Sequence, residues 1–419
     1  MTMRDRIKDP NIFRVYRATF ALGLAYGMAI SLIAVFLDQR GFHKTAIGSL
    51  AAWFAGGIVL LSLPMAELIR RYSAKTTLVA ALFGYALTVS AMPYLHSYGA
   101  IALVRLVDGA CSVGVWVSCE TILLQRSGPS HKAYVTSLYA VTIALGYLAG
   151  PLFARGLVMV APFAIGFSVA GVIALLASGY VALKLDRDLP NAGTGHERSN
   201  ESERADDVSD VPARGPLAIL WRIKTCCYAT FAYGYFQASV VLFLPLYLME
   251  HKGIEVEQTI LIPAFFAAGM LLFSNFGGRI GDKLGHLGTM RHLASVGVMT
   301  ILGFVFLDSY WLMAVAVFVA GATLATISPL SLALQGVVVT RPEYARANSL
   351  YNAFYAVGML LGPPISSTLF THFGGAVMLY HLAALWAGFV AFALLFYRDD
   401  PAALRRSAAV AEELGEPAA

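Results

Sequence analysis

Long apolar runs alternate with short polar segments along most of this 419-residue chain. An α-helix rises about 1.5 Å per residue, so roughly 20 apolar residues are enough to cross the ~30 Å hydrocarbon core of a bilayer. Runs of this length predict transmembrane helices at 14–37, 46–69, 76–95, 99–124, 133–154, 160–184, 222–249, 259–280, 290–308, 311–338, 346–371 and 376–397. The pattern therefore indicates an all-α membrane protein with twelve transmembrane helices.

One long polar segment interrupts this pattern between the sixth and seventh helices. Residues 185–217 are rich in charged and turn-forming residues and have no apolar periodicity, so they cannot offset the entropy cost of ordering. We expect a flexible cytoplasmic linker there, between one six-helix bundle at 1–184 and a second at 218–398. The polar segment 399–419 predicts a disordered cytoplasmic tail.

The two sets of helices carry the same residue pattern at an offset of 212 positions. The Ser-Leu-Tyr sequence at 137–139 returns at 349–351, and a Gly-x-x-x-Gly-Pro element follows each copy. These elements consist of Gly146, Gly150 and Pro151 in the first half and Gly358, Gly362 and Pro363 in the second; the same offset relates Gly41 to Gly253, Gly57 to Gly269 and Gly109 to Gly321. Duplicated halves are typical of secondary transporters, whose substrate site lies at the midplane between two bundles. We therefore predict two pseudo-symmetric six-helix bundles.

Composition agrees with this architecture. The chain is 58% hydrophobic and 13% charged, whereas soluble proteins carry about 25% charged residues. Its net charge of +5 arises because most Lys and Arg lie near the termini and in the loops after even-numbered helices. The loops on the other side contain only Arg40, Lys44, Arg155 and Lys252. Because cytoplasmic loops are enriched in Lys and Arg, this asymmetry predicts that both termini are cytoplasmic, and it does not indicate a nucleic-acid partner. We expect a multi-pass protein of a bacterial inner membrane.

Motifs of enzymes and of ATP-driven pumps are absent from the sequence. The four cysteines lie in apolar segments without metal-ligand spacing, so they are interpreted as small hydrophobic residues. No GxxxxGK[ST] phosphate loop, HExxH motif or nucleophile elbow occurs. We expect no cofactor and no metal, and we predict a protein that is not an enzyme and uses an ion gradient.

Charged residues interrupt the fourth predicted helix. At about 100° per residue, Arg105, Asp108, Trp116 and Glu120 lie near one helix face. Charges within a membrane are costly and usually face a bundle interior or a water-filled cavity. Arg105 and Asp108 are candidates for proton coupling or substrate binding, and a static structural pair is the alternative. Glu120 lies about 22 Å further along the axis than Arg105 and is a candidate for proton coupling or for a cytoplasmic gate.

The segment between the eighth and ninth predicted helices carries a more specific signature. It reads Gly-Arg-Ile-Gly-Asp-Lys-Leu-Gly at 278–285 and resembles the G-x-x-x-D-[RK]-x-G loop of the major facilitator superfamily. The resemblance implies the facilitator fold of two six-helix bundles. It also implies a tight cytoplasmic connection in which Gly278, Asp282, Lys283 and Gly285 belong to a gate.

The equivalent segment of the first half departs from this signature. The repeat places Arg70 and Arg71 where the second half has Asp and Lys, and Ser73 where it has Gly. The acidic residue of this gate must therefore come from another position, and Glu67 and Glu120 are the candidates. We expect an asymmetric gate.

Two further elements resemble the same superfamily. Arg105 with a following glycine is similar to its fourth-helix signature, whose arginine is linked to proton coupling, and the later Trp-x-x-x-Glu spacing resembles the YcaD-like branch. The Gly-x-x-x-Gly-Pro element of the fifth helix resembles a motif of drug–proton antiporters, which favours export. Close helix packing with no directional meaning is the alternative.

Polar side chains at mid-depth of the first, fourth, seventh and eleventh helices are candidates for a substrate cavity, because the resemblance implies that such helices line it. They are Tyr26, Trp116, Tyr233, Gln237, Asn352 and Tyr355. Packing or hydrogen bonding between helices is the alternative for each tyrosine.

Together these features predict a monomeric secondary transporter that moves a small molecule by alternating access. Proton-coupled efflux is the leading interpretation, in which protonation of Asp108 or Glu120 biases one conformation over the other. Proton-coupled uptake of a polar metabolite is the first alternative. A transporter-like membrane sensor or scaffold is the second.

Overall fold

The computed structural model describes residues 9–62, 64–127, 132–186, 215–340 and 343–401. Within these ranges the chain is helical apart from its connections, and no β-strand occurs. Twelve of the described helices are long and apolar enough to span a membrane, which confirms the predicted fold class. Most of the predicted linker 185–217 and tail 399–419 lies outside the described residues.

The twelve spanning helices are numbered in chain order. The first half contains α1 (Pro10–Gln39), α2 (Lys44–Ser62), α3 (Ala74–Ala91), α4 (Tyr98–Arg126), α5 (Lys132–Val158) and α6 (Phe163–Lys184). The second half contains α7 (Lys224–Lys252), α8 (Ile262–Leu284), α9 (His286–Phe304), α10 (Tyr310–Val338), α11 (Tyr344–Phe373) and α12 (Gly375–Leu395). Short helices cover Met65–Tyr72, Pro216–Arg222 and Val256–Thr259. The face at which α1 begins and α12 ends is the terminus face; the opposite one is the far face.

Helix packing follows the repeat in the sequence. In the first half α1 packs on α5, α2 on α4 and α3 on α6, and the second half repeats these pairs as α7–α11, α8–α10 and α9–α12. The halves meet where α2 packs on α11 and α5 packs on α8, two contacts that are again equivalent under the repeat. The two bundles are therefore pseudo-symmetric, as predicted.

Repeated glycines allow α2 to cross α4, and α8 to cross α10, at backbone contact. A Cβ atom at Gly57 would lie 1.9 Å from a carbonyl oxygen of α4, and one at Gly109 would lie 2.0 Å from a carbonyl oxygen of α2. The corresponding distances at Gly269 and Gly321 are 2.0 and 2.1 Å. Because no side chain fits in these gaps, glycine at these four positions is a packing requirement.

The Gly-x-x-x-Gly-Pro elements also lie in close crossings. A Cβ atom at Gly146 or Gly150 of α5 would lie 2.7 or 2.6 Å from the backbone of α1, at Gly23 and Gly27 respectively. The two glycines of the second copy approach α7 in the same way, at 2.3 and 2.6 Å, and the proline of each copy lies inside its helix. Close packing accounts for these glycines, and their link to export stays a prediction.

For the second helix, predicted at 46–69, the predicted C-terminal end is wrong. α2 ends at Ser62, and the separate helix Met65–Tyr72 precedes α3. Pro64 lies at the break, and proline lacks the N–H group that would continue the helical hydrogen bonds. The apolar composition continues across this break, so hydropathy alone does not reveal it.

The signature at 278–285, predicted between two helices, is mostly helical. α8 continues to Leu284, α9 begins at His286, and Gly285 alone turns the chain with φ +87°. The first half makes the same turn at the equivalent position, where Ser73 has φ +80° and ψ 153°. This backbone region is essentially restricted to glycine, so the first half keeps the turn with a strained residue.

We therefore expect Ser73→Gly to stabilise the protein. Relief of strain is worth on the order of 1–3 kcal/mol, and loss of the Ser73 Oγ cap on the Thr76 N–H costs only a few tenths. The net gain should be about 1 kcal/mol in the free energy of unfolding, measured by chemical or thermal unfolding in detergent. Gly285→Ser is the matched control and should destabilise; a destabilised Ser73→Gly protein would contradict the strain.

Candidate functional site

A cavity of about 250 Å³ lies between the two halves, near the middle of α1, α4, α7 and α11. Helices α1 to α5 form one wall, and α7, α8 and α11 form the other. Apolar and aromatic side chains make most of the lining, and Arg105, Asp108 and Gln237 are its strongly polar members. The volume is close to the lower end of the ~300–1,000 Å³ typical of small-molecule pockets.

Arg105 and Asp108 form an ion pair in the first-half wall. Arg105 Nη1 donates to Asp108 Oδ2 at 2.6 Å, and the guanidinium carbon lies 4.3 Å from the ring centroid of Phe54. The second carboxylate oxygen, Oδ1, is buried and has no hydrogen-bond partner among the described residues. The pair offsets the cost of burying two charges, while Oδ1 stays able to accept a proton or a hydrogen bond.

Aromatic side chains surround this ion pair. The ring of Tyr26 lies 5.2 Å from Tyr147, 6.2 Å from Phe54 and 6.5 Å from both Tyr85 and Trp116, measured between centroids. All five rings line the cavity. Such separations are typical of favourable aromatic pairs, so this wall presents a largely aromatic surface to the cavity.

The second-half wall is mostly apolar, and its described lining residues carry no charged side chain; Gln237 and Tyr355 supply its polar groups. Tyr355 Oη donates to Gln237 Oε1 at 3.0 Å, and the ring of Tyr355 stacks on Tyr233 at 6.1 Å. Tyr233 lies behind Tyr355 and does not line the cavity, and Asn352 is exposed away from it. Of the six predicted cavity residues, the structure therefore brings four together: Tyr26, Trp116, Gln237 and Tyr355.

The predicted gate residues lie outside the cavity. Glu120 is exposed and is not part of the lining. In the short helix Met65–Tyr72, the exposed Arg70 pairs with Glu67, so this carboxylate is recruited locally. Arg71 and Lys283 are exposed as well. The side chain of Asp282 lies outside the described residues.

Several cavity residues were not predicted, although the repeat contains a signal for them. The lining positions Ala51, Phe54 and Tyr147 reappear at the 212-residue offset as Pro263, Phe266 and Met359, which line the opposite wall. Applying the offset to one wall would have found part of the other. The offset also shows the asymmetry: Val317 and Ala320 occupy the positions equivalent to Arg105 and Asp108.

Contacts between the halves include an ion pair at the far face. Lys44 at the start of α2 pairs with Glu250 at the end of α7, at 2.7 Å, and its ammonium group lies 4.8 Å from the ring centroid of Phe370 in α11. A Cβ atom at Gly48 would lie 2.5 Å from Ser367 Oγ in α11, so α2 and α11 touch there. These contacts connect the two halves at the far face.

At the terminus face, by contrast, ion pairs between described side chains stay within one half. Arg14 pairs with Asp186 and Arg126 with Asp9 in the first half. Burial of Asp9 opposes its ionisation, but hydrogen bonds from Asn11 and Arg126 outweigh this and hold the pKa of the carboxyl below its ordinary value. These ion pairs form contacts within a bundle and do not connect the two halves.

Comparison with known proteins agrees with this arrangement of two pseudo-symmetric bundles around a central cavity. The model of the Major Facilitator Superfamily matches residues 16–310 and 292–417, and the chain belongs to that family. It is 23% identical to the uncharacterized MFS-type transporter YfkF of Bacillus subtilis (strain 168), over 88% of this chain and 92% of the relative. It is 22% identical to the uncharacterized MFS-type transporter YcaD of Escherichia coli O45:K1 (strain S88 / ExPEC), over 87% and 90% of the two chains.

Solved structures share the fold at low sequence identity. A bacterial homolog of the human lysosomal transporter Spinster, in an inward-facing and occupied conformation, has a TM-score of 0.77 and 13% identity, over 95% of this chain and 98% of that one. The nucleoside transporter NupG has a TM-score of 0.75 and 12% identity, over 93% and 99%. The family and these neighbours support secondary transport through a membrane and indicate no catalytic family.

Proposed function

We propose that this protein exports a small molecule in exchange for protons, by alternating access between its two bundles. The observation that carries the proposal is the buried Arg105–Asp108 pair, with its unpartnered Oδ1 atom, in the cavity where the two halves meet. The predicted linker at 185–217 would let residues 1–184 and 218–398 rock as two bodies around this cavity.

Competition at Asp108 supports antiport rather than symport. A substrate that donates a hydrogen bond to the ionised carboxylate and a proton that binds the same carboxylate cannot occupy it together. Proton binding also removes one charge from the pair and leaves the guanidinium of Arg105 without its counter-ion. The two protonation states therefore favour different ligands and, through them, different conformations. Uptake by symport would instead need substrate and proton to bind together.

The lining indicates which molecules fit. Tyr26, Tyr85, Trp116 and Tyr147 offer flat apolar faces, and the polar groups of Arg105, Asp108 and Gln237 lie among them. We propose an amphiphilic substrate with an apolar, ring-containing body and one polar edge that donates a hydrogen bond. A highly polar metabolite would leave much of this surface without partners.

The direction of export rests on orientation. Because Lys and Arg are concentrated on the terminus-face loops, we place that face in the cytoplasm of a bacterial inner membrane. Contacts between the halves at the far face are compatible with a conformation that exchanges substrate with the cytoplasm, which export requires as its first step.

Transport by the purified protein in liposomes tests the proposal. An outward-directed flux of an amphiphilic compound, driven by an imposed inward proton gradient and accompanied by proton counterflow, is the expected result. Compounds that accumulate together with protons would establish uptake. Absence of both solute and proton flux across a broad compound panel would reject the proposal.

The ion pair at the far face gives a smaller, separate prediction. Glu250→Gln removes the partner of Lys44 across the halves, and exposed ion pairs are worth about 0–1 kcal/mol. The far-face-open population should therefore rise by up to about five-fold, measured as longer distances between spin labels at the exposed positions His43 and Glu255. Asp308→Asn is the matched control, since its pair with Lys252 lies within one half. An equal shift in both variants would contradict a role in closure.

A further inference from the structure

A second cavity lies away from the transport pathway, at the terminus face of the second half. It has a volume of about 650 Å³ and is formed by the end of α8, the start of α9 and the end of α12. Its walls are largely apolar, and Ile280, Leu394 and Tyr397 are 45%, 51% and 43% exposed there. We call it the α8–α9–α12 groove. Apolar side chains this exposed at the end of spanning helices lie where the membrane meets water.

The polar rim of this groove has unused hydrogen-bonding capacity. The guanidinium of Arg291 lines it and has no ion-pair or hydrogen-bond partner among the described residues. His292 Nδ1 donates to the carbonyl of Gly288 at 2.7 Å, and its Nε2 has no partner among them. Among the described lining residues the one acidic side chain is that of Asp400, which is 2% exposed and accepts from the backbone N–H of Leu287 at 2.9 Å. The accessible charge on the rim is therefore positive.

The groove is a property of the second half and not of the repeated fold. Val79 and Ala80 occupy the positions equivalent to Arg291 and His292 in the first half. There Lys75 Nζ donates to the carbonyl of Leu185 at 2.6 Å, which ties the start of α3 to the end of α6. The second half has leucine at the position of Lys75 and an open groove instead.

We propose that the α8–α9–α12 groove binds one anionic phospholipid. The phosphodiester would pair with Arg291 and, when both ring nitrogens of His292 carry protons, accept a further hydrogen bond from its Nε2. The acyl chains would lie against the exposed side chains of Ile280, Leu394 and Tyr397. Basic pockets between helices at the cytoplasmic surface suit anionic headgroups, and arginine presents a planar fork that matches phosphate oxygens. A bound lipid would bridge α8, α9 and α12 next to the Gly285 turn.

Lipid binding to the purified full-length protein tests this proposal. Native mass spectrometry of a titration with phosphatidylglycerol should show one bound lipid with an affinity about five-fold or more above that for phosphatidylcholine. Arg291→Gln should lower the phosphatidylglycerol affinity by roughly five-fold and leave phosphatidylcholine binding unchanged. Arg279→Gln is the matched control, since Arg279 is exposed on the same face but does not line the groove.

A second variant distinguishes binding of a whole lipid from binding of a free phosphate group. A Cβ atom at Gly288 would meet nothing within 4 Å, so Gly288→Leu fills the groove without disturbing the backbone or the charge on the rim. It should weaken phosphatidylglycerol binding as much as Arg291→Gln does, and glycerol phosphate should not displace the lipid. Unchanged lipid binding in Arg291→Gln, an equal loss in Arg279→Gln, or full displacement by glycerol phosphate would each overturn the proposal.

Discussion

Asp108→Asn should abolish the coupling of substrate movement to protons. The amide keeps the size of the carboxylate but cannot ionise, so proton binding and substrate binding no longer compete at this position. In liposomes, the effect of an imposed pH gradient on substrate flux should fall by roughly 5- to 150-fold, the usual range of coupling between two ligands. Movement down the substrate's own gradient should persist.

The single change leaves Arg105 buried without its counter-ion, which costs about 3–5 kcal/mol when a buried pair is broken. The double variant Arg105→Gln/Asp108→Asn removes both charges and controls for this loss. It should fold with a stability close to that of the natural chain and still show no coupling. Coupled transport by the folded double variant would assign the pair a purely structural role.

A matched carboxylate outside the cavity completes the design. Glu255 lies exposed at the far face and caps no helix through its side chain. Glu255→Gln makes the same chemical change as Asp108→Asn and should leave the response to the pH gradient intact. Loss of coupling in both variants would indicate an effect of overall charge and not of the cavity.

The number of helices and their pairing could be predicted because both depend on one-dimensional features of the sequence. Membrane-length apolar runs define the spans, and the 212-residue offset makes the α2–α4 pair equivalent to the α8–α10 pair. The end of α2 and the single-residue turns at Ser73 and Gly285 depend instead on local backbone geometry. Hydropathy averages over such details, so the helix boundaries predicted there are displaced.

The charged part of the cavity was predictable because its residues are unusual for a membrane. Arg105 and Asp108 stand out because charges are rare in apolar helices, and the structure pairs them in the cavity wall. Tyrosines are common in such helices, so composition does not separate Tyr85, which lines the cavity, from Tyr233, which lies behind it. Asn352 lies one helical turn from Tyr355, and depth along α11 decides that only the tyrosine reaches the cavity.

Gly269→Ala should destabilise the protein about as strongly as breaking the buried Arg105–Asp108 pair does. Its Cβ would lie 2.0 Å from the carbonyl oxygen of Phe318, far inside van der Waals contact, and the obstacle is backbone that no side-chain rotation can move. Overpacking usually costs about 1–3 kcal/mol, and rigid contacts cost more, so we expect a loss of about 3 kcal/mol or more. The measurement is the free energy of unfolding in detergent, read together with the fraction of monodisperse protein.

Gly278→Ala in the same helix is the control, because no atom lies within 4 Å of its Cβ position. Alanine is a better helix former than glycine by about 1 kcal/mol, so this variant should be slightly more stable than the natural chain. The two Gly→Ala substitutions in α8 should change the free energy of unfolding in opposite directions. Their comparison therefore distinguishes the effect of packing from the effect of helix propensity. A mild effect at Gly269 would mean that α8 and α10 can move apart.

The first half provides an independent test of the same crossing. A Cβ atom at Gly57 would lie 1.9 Å from the carbonyl oxygen of Leu106 in α4, so Gly57→Ala should cost about as much as Gly269→Ala. Equal losses would show that the two crossings contribute equally, as the repeat requires. A much smaller loss at Gly57 would locate the flexibility in the half that carries the Arg105–Asp108 pair, and the movement coupled to protonation would then begin within that bundle. Equal and large losses would favour two rigid bundles that rock as units around the cavity.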